Sequence, residues 1–202
     1  MKVRPPARSY RPSQGASSRS CLPTILKTNL KTLNNSLPRK MTVLNSAHLQ
    51  SYLDEHEIPG EIVHLEVPTP TVESAAQAVN AQVEQIVKSI LFLLPEKPVL
   101  AVTCGTRPIE RRSMAAHFEV GRKRVKLADA ETVLDVAGFE VGAMPPFGHR
   151  QALDTLLDPQ VLAQEEVFAG GGEGHALLRI DPQHILQVSQ ATVLDLHTNP
   201  NN

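Results

Sequence analysis

The run Ile86-Val87-Lys88-Ser89-Ile90-Leu91-Phe92-Leu93-Leu94 constrains this chain more than any other segment. It is rich in β-formers and is stopped by Pro95 and Pro98, which predicts a strand covered on both faces. On a period of two, Lys88 shares a face with Ile86, Ile90, Phe92 and Leu94, the face that reads as inward. An ammonium there costs several kcal/mol unless an anion or a hydrogen-bond acceptor meets it. Lys88 is therefore either a functional charge or a residue near the strand mouth whose head snorkels to water.

The pattern around this strand is read as follows. Asn45 or Ser46 caps a first helix that carries Leu49, Tyr52 and Leu53 to about Glu57. A strand over 61–67 precedes a short helix through Val72, Ala75, Ala76 and Val79. Beyond the Lys88 strand, Pro95 to Pro98 turns the chain into a hairpin partner, Val99 to Cys104. Helices follow over 110–118 and 129–137, the second ended by Gly138. Leu153 to Leu157 reads as a strand, and Asp158-Pro159 opens a short helix. Val167 to Ala169 and Ala176 to Ile180 flank a glycine-rich turn, Pro182 starts the last helix, and Thr192 to Leu196 reads as an edge strand.

Strands and helices alternate without a regular βαβ period. That predicts an α+β fold with a mixed, partly barrel-like β-sheet surrounded by helices rather than a doubly wound fold. With 3% aromatic residues and no tryptophan, the core must be aliphatic. No apolar run reaches the ~18–20 residues that span a bilayer, so a soluble protein with no membrane partner is expected. No Gly-rich dinucleotide fingerprint and no phosphate-binding loop occurs, and no cofactor is expected. Cys21 and Cys104 lie in segments of different character, which argues against a structural disulfide and fits the cytoplasm.

The net charge of −1 conceals a split. Residues 1–40 hold nine basic side chains and no acid, whereas the remaining 162 residues carry a net charge of −10. The basic segment is rich in Ser, Arg, Pro and Asn without apolar periodicity, and is expected to be disordered. Three readings stand: a plastid or mitochondrial transit peptide, an RNA-attracting arm, or sequence upstream of a start at Met41. The folded domain is placed at residues 41–202.

Within that domain several segments bear chemistry. In Gly142-Ala143-Met144-Pro145-Pro146-Phe147-Gly148-His149, two prolines stiffen a wall and the flanking glycines permit close approach to a ligand. The plain alternative is a tight connection between strands. Gly170-Gly171-Gly172-Glu173-Gly174 can aim backbone N–H groups at a developing oxyanion, or can be a simple hairpin turn. Residues 107–126 carry seven basic side chains against Glu110 and Glu119. Arg111, Arg112, Arg122, Lys123 and Arg124 are the candidates to receive nucleic-acid phosphates, the alternative being a solvated surface. No histidine shows a metal-ligand spacing, so no metal is expected. Cys104 reads as a small buried hydrophobe.

Taken in chain order, Val87-Lys88-Ser89-Ile90, the Gly142–Gly148 loop, Val167-Phe168-Ala169-Gly170-Gly171-Gly172, and Ala176 to Ile180 followed by Asp181-Pro182 resemble the YbaK/prolyl-tRNA synthetase editing-domain family. The resemblance covers about residues 45–196. It implies a YbaK-like fold and hydrolysis of mischarged aminoacyl-tRNA, of the Cys- or Ala-tRNA(Pro) kind, by substrate-assisted water attack. It assigns catalysis to Lys88, Gly170 and Gly171, and the amino-acid pocket to Gly142, Ala143, Met144, Pro145, Phe147, Gly148 and His149. The acceptor end of tRNA is the implied partner, with prolyl-tRNA synthetase beside it and no DNA. Ala169 departs from the hydroxyl or amide residue common at its position, which moves the burden onto nearby N–H groups. A non-catalytic tRNA- or synthetase-binding module of the same fold is the alternative. A Schiff-base enzyme using Lys88 would need a carbonyl substrate that nothing in the sequence calls for.

Overall fold

The computed structural model describes residues 42–198, so the readings of residues 1–40 and of Met41 lie outside the described residues. In chain order the elements are α1 (Ser46–Glu55), β1 (Gly60–His64), α2 (Val72–Val79), β2 (Val87–Leu93), β3 (Pro98–Cys104), α3 (Arg111–His117) and β4 (Lys126–Leu127). They continue with α4 (Ala130–Ala137), β5 (Asp154–Leu157), α5 (Pro159–Leu162), β6 (Val167–Gly170), β7 (Ala176–Ile180), α6 (Pro182–Ser189) and β8 (Thr192–Val193).

Local chemistry fixes the helix starts. Asn45 caps α1 by accepting from the His48 N–H, and Thr71 caps α2 through the Ser74 N–H. Asp129 caps α4, which ends at Gly138 with a left-handed φ of +88°. Asp158-Pro159 and Asp181-Pro182 open α5 and α6 alike, the aspartate accepting an N–H two residues on and proline filling the first turn. No helix among the described residues is long and apolar enough to cross a membrane.

The strands form two sheets. One is antiparallel in the order β1-β7-β6, and the other is mixed in the order β4-β2-β3-β5-β8, with β3, β5 and β8 running parallel. β2 and β3 make the expected hairpin, Lys88 standing opposite Thr103. Among the described residues the sheets meet at a single parallel bridge, Ile86 to Phe168, and do not close into a barrel.

The hairpin is covered on both faces, as its composition requires. Leu91, Leu100, Val102 and Cys104 point into the main core with Leu49, Phe139 and Ile185. Phe92, Val99 and Ala101 point into a second cluster with Met114, Val125 and Leu196. Leu91 and Leu100 are 1% and 0% exposed, and each such side chain stabilises the fold by roughly 1.5–3 kcal/mol. Asp158, also fully buried, is satisfied by the Gln160 and Leu196 N–H groups and thereby ties α5 to the segment after β8.

The outer edge of β2 borders a cavity. Its start is bridged to β6 and its end is paired with β4 through Phe92–Leu127 and Leu93–Lys126. Between these two contacts Leu91 still accepts the Ala128 N–H at 3.0 Å, no strand among the described residues pairs with the edge over 87–90, and the cavity opens there.

Candidate active site

This cavity holds about 400 Å³, and Lys88, Ser89, Gly142, Met144 and Gly170 line it. Thr69, Pro70 and Thr71, the entry to α2, form another wall. The rest of the lining is largely aliphatic, the usual make-up of a small-ligand site with few polar groups.

Lys88 sits near the strand mouth, in the wall of this cavity. It is the second residue of β2 and is half-buried, and its Nζ donates to the Arg107 carbonyl at 3.1 Å. Burial lowers its pKa, with Cys104 and Glu73 acting in the opposite direction. Its neighbour Ser89 escaped the sequence reading. The Ser89 Oγ is buried without a hydrogen-bond partner, and it borders the same cavity. A hydroxyl interrupting an apolar strand was the signal available for it.

The loop over 142–149 divides between two cavities. Gly142, at φ +89°, and Met144 face Lys88. Ala143 is buried, and its carbonyl accepts the Gly172 N–H at 2.9 Å. Pro145 is also buried, and its carbonyl accepts from His149 Nε2 at 2.9 Å, so Nε2 carries the imidazole proton. Phe147, Gly148 and His149 line a separate cavity of about 720 Å³ beside Tyr52, whose ring stacks on Phe147 with centroids 5.8 Å apart. Expected together in one pocket, the seven loop residues send only Gly142 and Met144 to the Lys88 cavity. Burial depresses the His149 pKa to about 4, the bond to Pro145 opposing it, and the ring is neutral at physiological pH.

The glycine segment is a hairpin turn with specific duties. Gly171 donates its N–H to the Ala176 carbonyl and Gly172 donates to Ala143, so neither donor is free for an oxyanion in this conformation. Gly170 differs. In an antiparallel ladder the N–H groups alternate in direction, and the bond from Gly171 to Ala176 sets the Gly170 N–H away from β7, on the side of β2. The donor expected from two glycines thus narrows to Gly170. Ala169 is fully buried in the main core and does not line the cavity.

Arg111, Arg112, Arg122, Lys123 and Arg124 are all exposed. Arg122 lies 3.9 Å from Glu110, which also caps the Arg112 N–H. Two links connect this basic stretch to the cavity: the Lys88–Arg107 hydrogen bond, and Leu127 and Ala128, which line the cavity just beyond Lys126. Cys104 is 3% exposed, and burial raises its thiol pKa to about 11, with Asp158 and Glu84 adding to the shift, which makes it a poor nucleophile. Although no histidine shows a metal-ligand spacing in the sequence, among the described residues His64, Glu173 and His175 converge where β1 ends and β7 begins.

Residues 66–188 match the sequence model of the aminoacyl-tRNA editing domain family. The uncharacterized protein YwhH of Bacillus subtilis (strain 168) is 23% identical over 134 residues, 66% of this chain and 83% of YwhH. The proline–tRNA ligase of Bacillus cereus (strain AH187) is 26% identical over 132 residues, 63% of this chain but 23% of the ligase. Among solved structures, a candidate trans-editing enzyme for prolyl tRNA synthetase superposes with a TM-score of 0.70 at 32% identity, covering 76% of this chain and 96% of that one.

Proposed function

We propose that this chain, which belongs to the aminoacyl-tRNA editing domain family, is a deacylase that hydrolyses mischarged aminoacyl-tRNA. The observation that carries the reading is the half-buried Lys88 in the wall of an aliphatic cavity, with Gly142, Met144 and Gly170 around it.

The reaction asks little of the protein. An aminoacyl ester is already activated, so a held water, a stabilised oxyanion and a selective pocket suffice. Water forms a bond to the ester carbonyl carbon, the bond to the ribose oxygen breaks, and a proton passes from water to that oxygen. A free ribose hydroxyl of the terminal adenosine orients the water, because no general base stands in the cavity lining. Lys88 anchors a phosphate or ribose oxygen, and the Gly170 N–H is the donor nearest in role to an oxyanion hole. Met144 and the aliphatic walls restrict the side chain to a small one, which favours alanyl or cysteinyl esters on a tRNA(Pro)-type acceptor. Exposed arginines and lysines over 111–124 meet the acceptor-stem phosphates, and prolyl-tRNA synthetase is the partner that the ligase relationship favours.

The test is release of amino acid from tRNAs charged with Ala, Cys, Ser, Thr or Pro under single-turnover conditions. Release from one or two of these esters is expected. A protein that retards charged tRNA in gels yet releases nothing would be the non-catalytic binding module, a reading favoured by the committed N–H groups of Gly171 and Gly172.

A further inference from the structure

We propose that His64, Glu173 and His175 form a binding site for a borderline divalent transition-metal ion, with Zn²⁺ as the best match. The three residues offer two imidazole nitrogens and one carboxylate oxygen, all within 4.8 Å of one another. Ligands at 2.0–2.1 Å from a tetrahedral zinc stand roughly 3.3 Å apart, so closure needs the ligand atoms to approach by up to about 1.5 Å. His64 and His175 are exposed and have that freedom, and the His175 Nε2–Glu173 Oε2 distance is already 3.7 Å.

The backbone beneath the cluster is held firmly. His64 ends β1 opposite Ala176, which places His175 one residue beyond the ladder. Leu65 donates its N–H to the His175 carbonyl at 2.8 Å, and Thr69 donates to Gly174 at 3.0 Å. Ser46 Oγ donates to Glu173 Oε2 at 2.9 Å and orients the carboxylate from outside, the role that second partners play at metal centres.

An ordinary ion pair does not account for this arrangement. His175 and Glu173 alone would make an exposed pair of little worth. Adding His64, whose ring centroid lies 6.3 Å from that of His175, brings a second potential cation and weakens such a pair on protonation. As a neutral imidazole it completes a two-histidine, one-carboxylate donor set, which suits zinc, nickel or copper and not calcium or magnesium. Three protein ligands leave a fourth position for water.

The location gives the ion a consequence. The hydrogen bonds of Leu65 and Thr69 connect the cluster to Thr69–Thr71 in the wall of the Lys88 cavity, and Glu173 lies three residues from Gly170. An ion here would staple the end of β1, the glycine turn and the start of α1, and stiffen one side of that cavity. Binding itself is independent of any deacylase activity.

The test is calorimetric titration of the metal-free full chain with ZnCl₂, with CoCl₂ as a spectroscopic probe. One ion per chain is expected, together with the visible absorption of four-coordinate Co²⁺ and a rise in Tm. His64→Ala and His175→Ala should each weaken binding by roughly 100-fold, and Ser46→Ala by about 10-fold. His56→Ala, at an exposed histidine outside the cluster, should leave it unchanged. Circular dichroism checks that each variant is folded. Binding of equal strength in wild type and in His64→Ala or His175→Ala would overturn the site, as would the absence of any saturable uptake.

Discussion

Gly170 lies against Met144 so closely that a β-carbon on Gly170 would stand 2.5 Å from the Met144 carbonyl oxygen, and 2.7 Å from that of Ala143. Both obstacles are main chain and cannot rotate away. The glycine therefore lets the strand that carries the N–H facing β2 pass directly under the loop that walls the cavity. Gly170→Ala should push the two apart and cost about 1–3 kcal/mol. At Gly174, in the same turn, a β-carbon would meet nothing within 4 Å, and Gly174→Ala should be nearly neutral. Urea unfolding of the two variants reads the difference directly, and equal midpoints would refute the close-approach argument. In the deacylation panel, Gly170→Ala should also alter the ranking of amino acids, since Met144 moves with the wall.

Lys88 allows function and stability to be separated. Burial lowers its pKa, so the folded state holds the ammonium against a solvation penalty that its bond to Arg107 offsets in part. Lys88→Met keeps the stem and removes the charge. It should be as stable as wild type or more so, while deacylation at sub-saturating tRNA falls by about 10–10²-fold, the usual loss when a charged hydrogen-bond anchor is removed. Thermal melts and single-turnover rates on the same preparation test both halves. Wild-type rates in Lys88→Met would remove the lysine from the mechanism.

What could be read from the chain was what is local. The Lys88 strand, its hairpin partner, the cap at Asn45 and the helix starts at Asp158-Pro159 and Pro182 all rest on signals within a few residues, and they stand in the structure. β4 has two residues, too few for any periodicity, and forms only because Leu127 and Lys126 meet the edge of β2. The strand read over 61–67 stops at His64, although the Leu65 N–H still reaches His175. The loop over 142–149 looked like one pocket wall because sequence does not show that Phe147 stacks on Tyr52, 95 residues earlier. His64 and His175 likewise become neighbours only through the β1–β7 register. Donor availability at Gly171 and Gly172 depended on hairpin bonding that composition leaves open.

Salt dependence tests the basic surface. Exposed arginine and lysine side chains that meet phosphates release counterions, and each contact contributes about 0.7–0.9 to the slope of log affinity against log salt. Replacing Arg122, Lys123 and Arg124 together by alanine should weaken tRNA binding at low salt and reduce that slope by about 2–3. Fold and cavity should be untouched, since these side chains are exposed and only Arg122 approaches an acid. A slope identical to wild type would show that the acceptor stem docks elsewhere.

His149 links acidity to stability with a definite sign. Its folded-state pKa is about 4, while the unfolded chain titrates near the ordinary value of 6.5. Between these values the unfolded state binds a proton that the native state refuses, so stability is full above about pH 6.5 and is lost as pH falls toward 4. The size of the loss is about 2–3 kcal/mol. His149→Gln keeps a donor for the Pro145 carbonyl but cannot titrate, so its stability should fall less steeply through this window. Other histidines and the carboxylates are common to both proteins, and the difference between the two pH profiles isolates the one group. Parallel profiles from pH 7 to 4 would mean that the ring accepts its proton without leaving Pro145, and that the loop is less closed than its burial implies.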